Sequence, residues 1–178
     1  MGREVDNVPF PRNLTIETSS SCNLKCVMCP QSIGRVHRPK KMPAYILERL
    51  SEQIAAASTI SLHGIGEPLL SESFWRLLEK IPDKCNSTVN TNLTVLTDEM
   101  IDNLLSSNLG SINVSVDSPY PEDYFKIRGF NLEMVLDNMR RIVGQKLKVY
   151  ANMTLMVATI DSTTDFMDLM IGEIGCDA

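Results

Sequence analysis

Cys22, Cys26 and Cys29 place three thiols within eight residues, in the segment Cys22-Asn23-Leu24-Lys25-Cys26-Val27-Met28-Cys29-Pro30. Core packing does not produce such a cluster by chance, so the spacing C-x3-C-x2-C points to metal chemistry. Two kinds of centre take thiolates. A structural zinc site pairs its cysteines as two separated C-x2-C knuckles and closes with a fourth ligand. The second knuckle is missing here, and Cys85, Cys176, His37 or His63 would have to complete the set. An iron–sulfur cubane held by three thiolates keeps one iron open to an exogenous ligand, which is a catalytic feature.

Other segments carry groups suited to a bound ligand. In His63-Gly64-Ile65-Gly66-Glu67-Pro68 the glycines allow backbone to come close to a ligand without side chains in the way, although two glycines in a turn also mark a tight connection. Asn92 follows Thr91 where a strand should end, a position that suits a ligand contact or a turn. Ser115 and Asp117 lie on one face of a strand, and Arg128-Gly129 follows a loop beyond it. His63 reads equally as a ligand contact or a satisfied structural histidine, His37 as solvated, and Cys85 as a small packed hydrophobe. Glu17 is a carboxylate on the polar side of the first strand, without an assigned role.

The elements that must position these groups alternate between two hydrophobic periods, the pattern of βα units around a parallel sheet. Five units are expected. The first strand, Leu14 to Thr18, runs into the cysteine loop, and a helix starts at Pro43 with Ile46, Leu50, Ile54 and Ala57 as its buried stripe. The second strand, Thr59 to His63, precedes a helix burying Phe74, Leu77 and Leu78 before Pro82. The third lies in Ser87 to Thr91, with Thr97 as the next N-cap and Gly110 closing the unit. Ser111 to Val116 is the fourth, followed by a long loop through Pro119, Pro121 and Gly129 and a helix capped by Asn131. The fifth is Val149 to Val157, and its helix carries Phe166, Leu169, Met170 and Ile174.

Strand side chains alternate faces, so Thr88, Asn90 and Asn92 share one side, as do Asn113, Ser115 and Asp117, and Tyr150, Asn152 and Thr154. A closed eight-stranded barrel packs apolar side chains inside. A polar inner face therefore implies an open or wider barrel whose lumen holds water and a polar ligand; the alternative is the solvent side of an open sheet.

The cysteine spacing, its place after the first strand and the downstream glycine turn resemble the radical S-adenosylmethionine (SAM) superfamily, whose C-x3-C-x2-C loop holds a [4Fe-4S] cluster. The wording CNLKCVMCP and GIGEPLL is most similar to members carrying a SPASM or twitch extension, and no such extension is expected within these residues. The resemblance implies an α/β fold, a partial (β/α)6 TIM-like barrel with about five βα units present. It further implies one radical SAM core domain over residues 1–178, incomplete at its C-terminus and without an auxiliary-cluster domain. Cys22, Cys26 and Cys29 would hold the cluster, and SAM would be cleaved to a 5'-deoxyadenosyl radical that abstracts a substrate hydrogen. The backbone of Met28, which stands where an aromatic residue is frequent, would meet the adenine; its bland role is packing. Gly64, Gly66 and Glu67 match the motif whose backbone receives the SAM ammonium, with Ile65 replacing its first glycine. Asn92 would bond the ribose, with Leu93 standing where glycine is usual, and Ser115 and Arg128 would hold the SAM carboxylate.

Charge and length bound the rest. With 17 Lys+Arg against 22 Asp+Glu, a net charge of -5 and no basic run, nucleic acid is not an expected partner. No apolar stretch approaches the roughly 20 residues of a membrane span, and the polar start Met1 to Asn7 has no signal-peptide core, so a cytoplasmic protein with reduced cysteines is expected. The resemblance implies a small-molecule or peptide substrate and an electron donor such as flavodoxin or ferredoxin. Cys176-Asp177-Ala178 reads as the approach to a further strand, which predicts an unpaired edge on the fifth strand. A longer protein, self-association or a partner chain would complete the barrel, and turnover by these residues alone would be weak.

Overall fold

The computed structural model describes residues 9–35 and 38–178. His37 and the start Met1 to Asn7 lie outside the described residues. Five strands, β1 (Asn13–Thr15), β2 (Thr59–Leu62), β3 (Asn86–Thr91), β4 (Ser111–Ser115) and β5 (Lys148–Asn152), form one sheet in the order β1-β2-β3-β4-β5. Every neighbouring pair is parallel. Parallel neighbours in chain order require crossovers on a common side, and the helices supply them. These are α1 (Ala44–Arg49), α2 (Ser51–Ala56), α3 (Glu72–Leu78), α4 (Asp98–Ser106), α5 (Pro121–Arg128), α6 (Leu132–Arg140) and α7 (Thr163–Met167).

Alternation decides which face the helices cover. Ile60, Leu62, Val89, Ile112, Val114 and Val149 are fully buried and pack with Leu47, Ile54, Phe74, Leu77, Val135 and Met139 in one core. Each such side chain contributes about 1.5–3 kcal/mol by leaving water. The opposite face carries the polar set, and the register lines it up in rows: Thr15, Ser61, Thr88 and Ser111 across β1 to β4, and Asn90, Asn113 and Tyr150 across β3 to β5. Asn113 donates from Nδ2 to Thr88 Oγ1 at 3.1 Å and to Asn90 Oδ1 at 2.9 Å, so the half-buried amide spends its donors within the sheet.

Thr97 and Asn131 cap α4 and α6 as expected, accepting from Met100 N at 3.2 Å and Met134 N at 3.3 Å. Several boundaries differ from the sequence reading. The helix expected from Pro43 is two short ones that meet at Leu50, where the Ser51 hydroxyl donates to Glu48 O at 2.8 Å and draws that carbonyl out of the helical ladder. Leu47 takes the inner position, while Ile46 and Leu50 are half-buried. The stretch read as a loop through Pro121 contains α5, with Pro121 at its first turn, Glu122 and Asp123 facing the positive end of its dipole, and Gly129 ending it at φ 71°.

The first strand is shorter than Leu14 to Thr18, and β5 stops at Asn152 instead of reaching Val157. Thr154 N donates to Asp117 at 2.7 Å, which pulls the chain off the sheet line, and Val157 is 98% exposed. The last helix changes character: α7 passes into wide π turns over Asp168–Ile174, ended by Gly175 at φ 82°. The edge of β5 is not bare. Asp177 N donates to Val149 O and Val149 N to Asp177 Oδ2, both at 2.8 Å, so the last residues already pair with one position of β5.

Candidate cofactor site

A cavity of about 280 Å³ opens at the C-terminal ends of the strands. Its wall contains Cys22, Cys26, Met28 and Cys29 from the loop after β1, and Gly64, Gly66 and Glu67 from the turn after β2. Asn92 after β3, Ser115 at the end of β4 and Arg128 at the end of α5 complete it. The ten residues that the resemblance assigned to the cluster and SAM thus meet in one place. Parallel sheets put their binding sites there because the loops that leave the strands converge at that end.

The cysteine loop is held against the glycine turn by backbone contact. Glu67 N donates to Ser21 O at 2.9 Å, and a Cβ on Gly66 would lie 2.1 Å from Ser19 O and 2.7 Å from Ser21 O. Only glycine fits there. Gly64 is crowded differently: a Cβ would lie 2.2 Å from Glu17 Oε1, because the Glu17 carboxylate accepts Ile65 N–H at 2.6 Å. Glu17 therefore fixes the turn, the role that the sequence left open.

Glu67 is buried and turns its carboxylate inward. It accepts from Thr91 Oγ1 at 2.5 Å, Asn92 N at 2.7 Å and Leu69 N at 3.2 Å, tying the β2 turn to the end of β3. Burial pushes its carboxyl up, opposed by those three donors and by Arg128. What the Gly66–Glu67 segment offers the cavity is accordingly backbone. Asn92, also buried, is engaged with Asn23, Thr94 and the Cys22 sulfur, to which its Nδ2 donates at 3.6 Å. Leu93 follows at φ 51° and is itself fully buried, so core packing holds a residue in the conformation that glycine would adopt freely.

Asp117 lies beneath the cavity. Its side chain is fully buried, accepts Arg128 Nε at 2.6 Å, and with its other oxygen accepts Thr154 N, so it orients the guanidinium and does not line the cavity. Arg128 keeps 11% of its side-chain exposure and its place on the cavity wall.

Three free thiols on one wall would suit an iron–sulfur cluster as its donor set. Burial pushes Cys22 and Cys26 up, and Arg128 pulls Cys26 back down, so metal binding must displace protons. Tyr124, fully buried within electrostatic reach of Cys26 and Arg128, has a hydroxyl with no partner among the described residues. Among the described residues no group of three or more His, Cys, Asp and Glu side chains is drawn together tightly enough to hold a single metal ion. Of the residues that could complete a zinc centre, Cys85 packs in the core, His63 is exposed and Cys176 lines a separate cavity of about 310 Å³ along β5; none of these three lines the thiol cavity, and His37 lies outside the described residues.

A sequence model described as the Radical SAM superfamily matches residues 16–172. The chain belongs to the radical SAM superfamily. The superfamily's cofactors, a [4Fe-4S] cluster and SAM, are those for which the thiols and the cavity are suited.

Among similar proteins, a probable GTP 3',8-cyclase of Methanococcus aeolicus is 30% identical over 164 residues, covering 88% of this chain and 54% of that protein. The GTP 3',8-cyclase of Clostridium acetobutylicum is 26% identical over 179 residues, covering 94% of this chain and 53% of that protein. The chain thus spans about half the length of these curated relatives. SuiB of Streptococcus suis shares the fold with a TM-score of 0.75 at 21% identity, over 94% of this chain and 38% of SuiB, and has also been solved with SAM and with precursor peptide SuiA.

Sequence reasoning named Thr91 only as part of the Thr91-Asn92 motif and gave no role to Asn23, Thr94 or Tyr124; Asn23 lies inside the cysteine motif and Thr94 just after Asn92-Leu93, which was the available signal. The reach of Glu67 to Thr91, 24 residues away, left none in the linear pattern.

Proposed function

We propose that this chain is the cluster- and SAM-binding core of a radical SAM enzyme that takes hydrogen from a small-molecule or peptide substrate. The observation that carries this reading is the convergence of three free thiols, the glycine turn, Ser115 and Arg128 on one cavity. When bound, a reduced [4Fe-4S] cluster supplies the electron that cleaves SAM to methionine and a 5'-deoxyadenosyl radical. Cys22, Cys26 and Cys29 hold that cluster on a loop pinned by Gly66. Backbone carbonyls of the Gly64–Gly66 turn accept the SAM ammonium, and the Glu17 carboxylate keeps the turn in place. Arg128, oriented by Asp117, presents a guanidinium to the SAM carboxylate with Ser115 alongside, a task that suits its planar fork of donors. Met28 is on the cavity wall, and its backbone would meet the adenine.

Substrate would occupy the polar face of the sheet, where Asn90, Asn113 and Tyr150 stand in one row. Neutral amides and hydroxyls suit a hydroxyl- or amide-bearing molecule, a range that includes sugars, peptides and cofactor precursors. The domain assignment, residues 1–178 as one radical SAM core, belongs to this proposal, as do a flavodoxin- or ferredoxin-like electron donor and a cytoplasmic setting. Among the described residues no helix is long and apolar enough to cross a membrane. Since the relatives are about twice as long, we further infer that coupled turnover needs chain beyond these residues, supplied by a longer protein or a partner copy.

The test is anaerobic reconstitution, reduction with dithionite and incubation with SAM. Formation of 5'-deoxyadenosine and methionine, lost in the Cys22→Ala/Cys26→Ala/Cys29→Ala variant, is expected. A fully loaded cluster that leaves SAM uncleaved would overturn the proposal.

A further inference from the structure

Asn92, Asn23 and Thr94 close a ring of side-chain hydrogen bonds beside the first cluster cysteine. Asn92 Nδ2 donates to Asn23 Oδ1 at 3.0 Å, Asn23 Nδ2 donates to Thr94 Oγ1 at 2.8 Å, and Thr94 Oγ1 donates to Asn92 Oδ1 at 2.7 Å. The backbone fixes which way the Asn92 amide points. Thr94 N–H can donate and nothing else, and it meets the same side-chain atom of Asn92 at 3.0 Å; that atom must be the oxygen. The amide nitrogen is thereby turned to Asn23 and to the Cys22 sulfur, 3.6 Å away. The turn that permits this depends on Leu93 at φ 51°, anchored by its buried side chain and by Asn138 Nδ2 donating to Leu93 O at 2.9 Å.

The Cys22 sulfur also receives Leu24 N–H at 3.4 Å, so two donors converge on one prospective thiolate. Hydrogen bonds to a cluster's sulfurs offset its negative charge and stabilise the reduced state more than the oxidised one, which raises the reduction potential. Both ends of the Asn92 amide are occupied by these contacts. A ribose hydroxyl reaching for it would have to displace Thr94 from the oxygen or Asn23 and Cys22 from the nitrogen.

We propose that Asn92 acts on the iron–sulfur cluster through Cys22, as a residue that orients the cysteine and raises the cluster's reduction potential, with Asn23 and Thr94 locking its amide. This inference rests on the cluster assignment above, and goes beyond it by giving Asn92 a target on the cluster instead of on the ribose.

The experiment is an EPR-monitored redox titration of anaerobically reconstituted protein, without SAM, for wild type, Asn92→Ala and Thr94→Val, with iron content and SAM affinity measured in parallel. Asn92→Ala is expected to shift the midpoint to more negative potential, at wild-type iron content and wild-type SAM affinity. Thr94→Val, which keeps the amide and the backbone N–H that orients it but removes the hydroxyl linking Asn92 and Asn23, loosens the ring and shifts it the same way by less. Should the Ala variant lose its cluster, the Thr94→Val shift decides. An unchanged midpoint in the cluster-bearing variants overturns the inference, as does a fall in SAM affinity with an unchanged midpoint, which would return Asn92 to the ribose. A wild-type protein that assembles no cluster overturns the underlying reading as well, and so is distinguished from failure of this one.

Discussion

Asp117 and Arg128 form a buried ion pair with Nε and Oδ2 2.6 Å apart, at the junction of β4, the end of β5 and the last turn of α5. Burial pulls the Arg128 guanidinium down, but Asp117, with Cys26 and Tyr124 adding to it, more than offsets that cost and holds the group above its ordinary range, so it stays charged. The pair links stability to SAM binding, because the group that would hold the SAM carboxylate also neutralises a buried aspartate. Arg128→Ala should weaken SAM binding by about 1.5–3 kcal/mol, the scale of a hydrogen bond to a charged group, and cost about 3–5 kcal/mol of stability by stranding Asp117. Combining it with Asp117→Asn should recover most of the stability and none of the affinity. Calorimetric SAM titration and urea unfolding separate the two effects, and equal SAM affinity in wild type and Arg128→Ala would remove Arg128 from the site.

The two glycines of the β2 turn should fail for different reasons. A methyl on Gly64 meets the end of the Glu17 side chain, which a second substitution can remove; a methyl on Gly66 meets Ser19 and Ser21 backbone, which none can. Gly64→Ala should therefore regain its folding in the Glu17→Ala background while SAM binding stays weakened, since Ile65 N–H has lost its acceptor. Gly66→Ala should displace the cysteine loop in either background. Iron content and SAM affinity of the four variants check this.

Leu93 presents a balance of two costs. Glycine would relieve the positive φ, worth about 1–2 kcal/mol, but would empty a fully buried leucine site, worth about 2–5 kcal/mol. Packing should win, so Leu93→Gly is expected to destabilise by about 1–3 kcal/mol, read from the shift in urea midpoint.

Alkaline pH should expose Tyr124. Burial pushes its hydroxyl up to about 12. A proton held more tightly by the folded chain than by the unfolded one is a stability contribution present below pH 10 and lost as pH rises through about 12. The wild type should lose stability across that window more steeply than Tyr124→Phe. Identical alkaline profiles would show that Tyr124 ionises freely.

The polar rows of the sheet were legible because strand alternation is local: Asn113 and Ser115 against Ile112 and Val114 need no tertiary knowledge. The cysteine loop and glycine turn were legible from residue type and spacing. What escaped depended on contacts between distant segments. Met153, Leu155 and Val157 alternate like a strand, and nothing local reveals that Asp117 will draw Thr154 out of the sheet. The start of α5 was masked by Pro119 and Pro121, although Pro121, Glu122, Asp123 and Gly129 together spell a helix start and stop. The clamp from Glu67 to Thr91 and Asn92 joins motifs that the sequence presents as separate.

The central claim is that Cys22, Cys26 and Cys29 hold one cubane cluster, and iron and acid-labile sulfide analysis of anaerobically reconstituted protein tests it most directly. The account predicts about four irons and four sulfides per chain with absorption near about 400 nm, lost when any one of the three becomes alanine and degraded by oxygen because one iron lacks a thiolate. Unchanged iron content and absorption in the triple alanine variant, or a colourless protein carrying zinc, would contradict it.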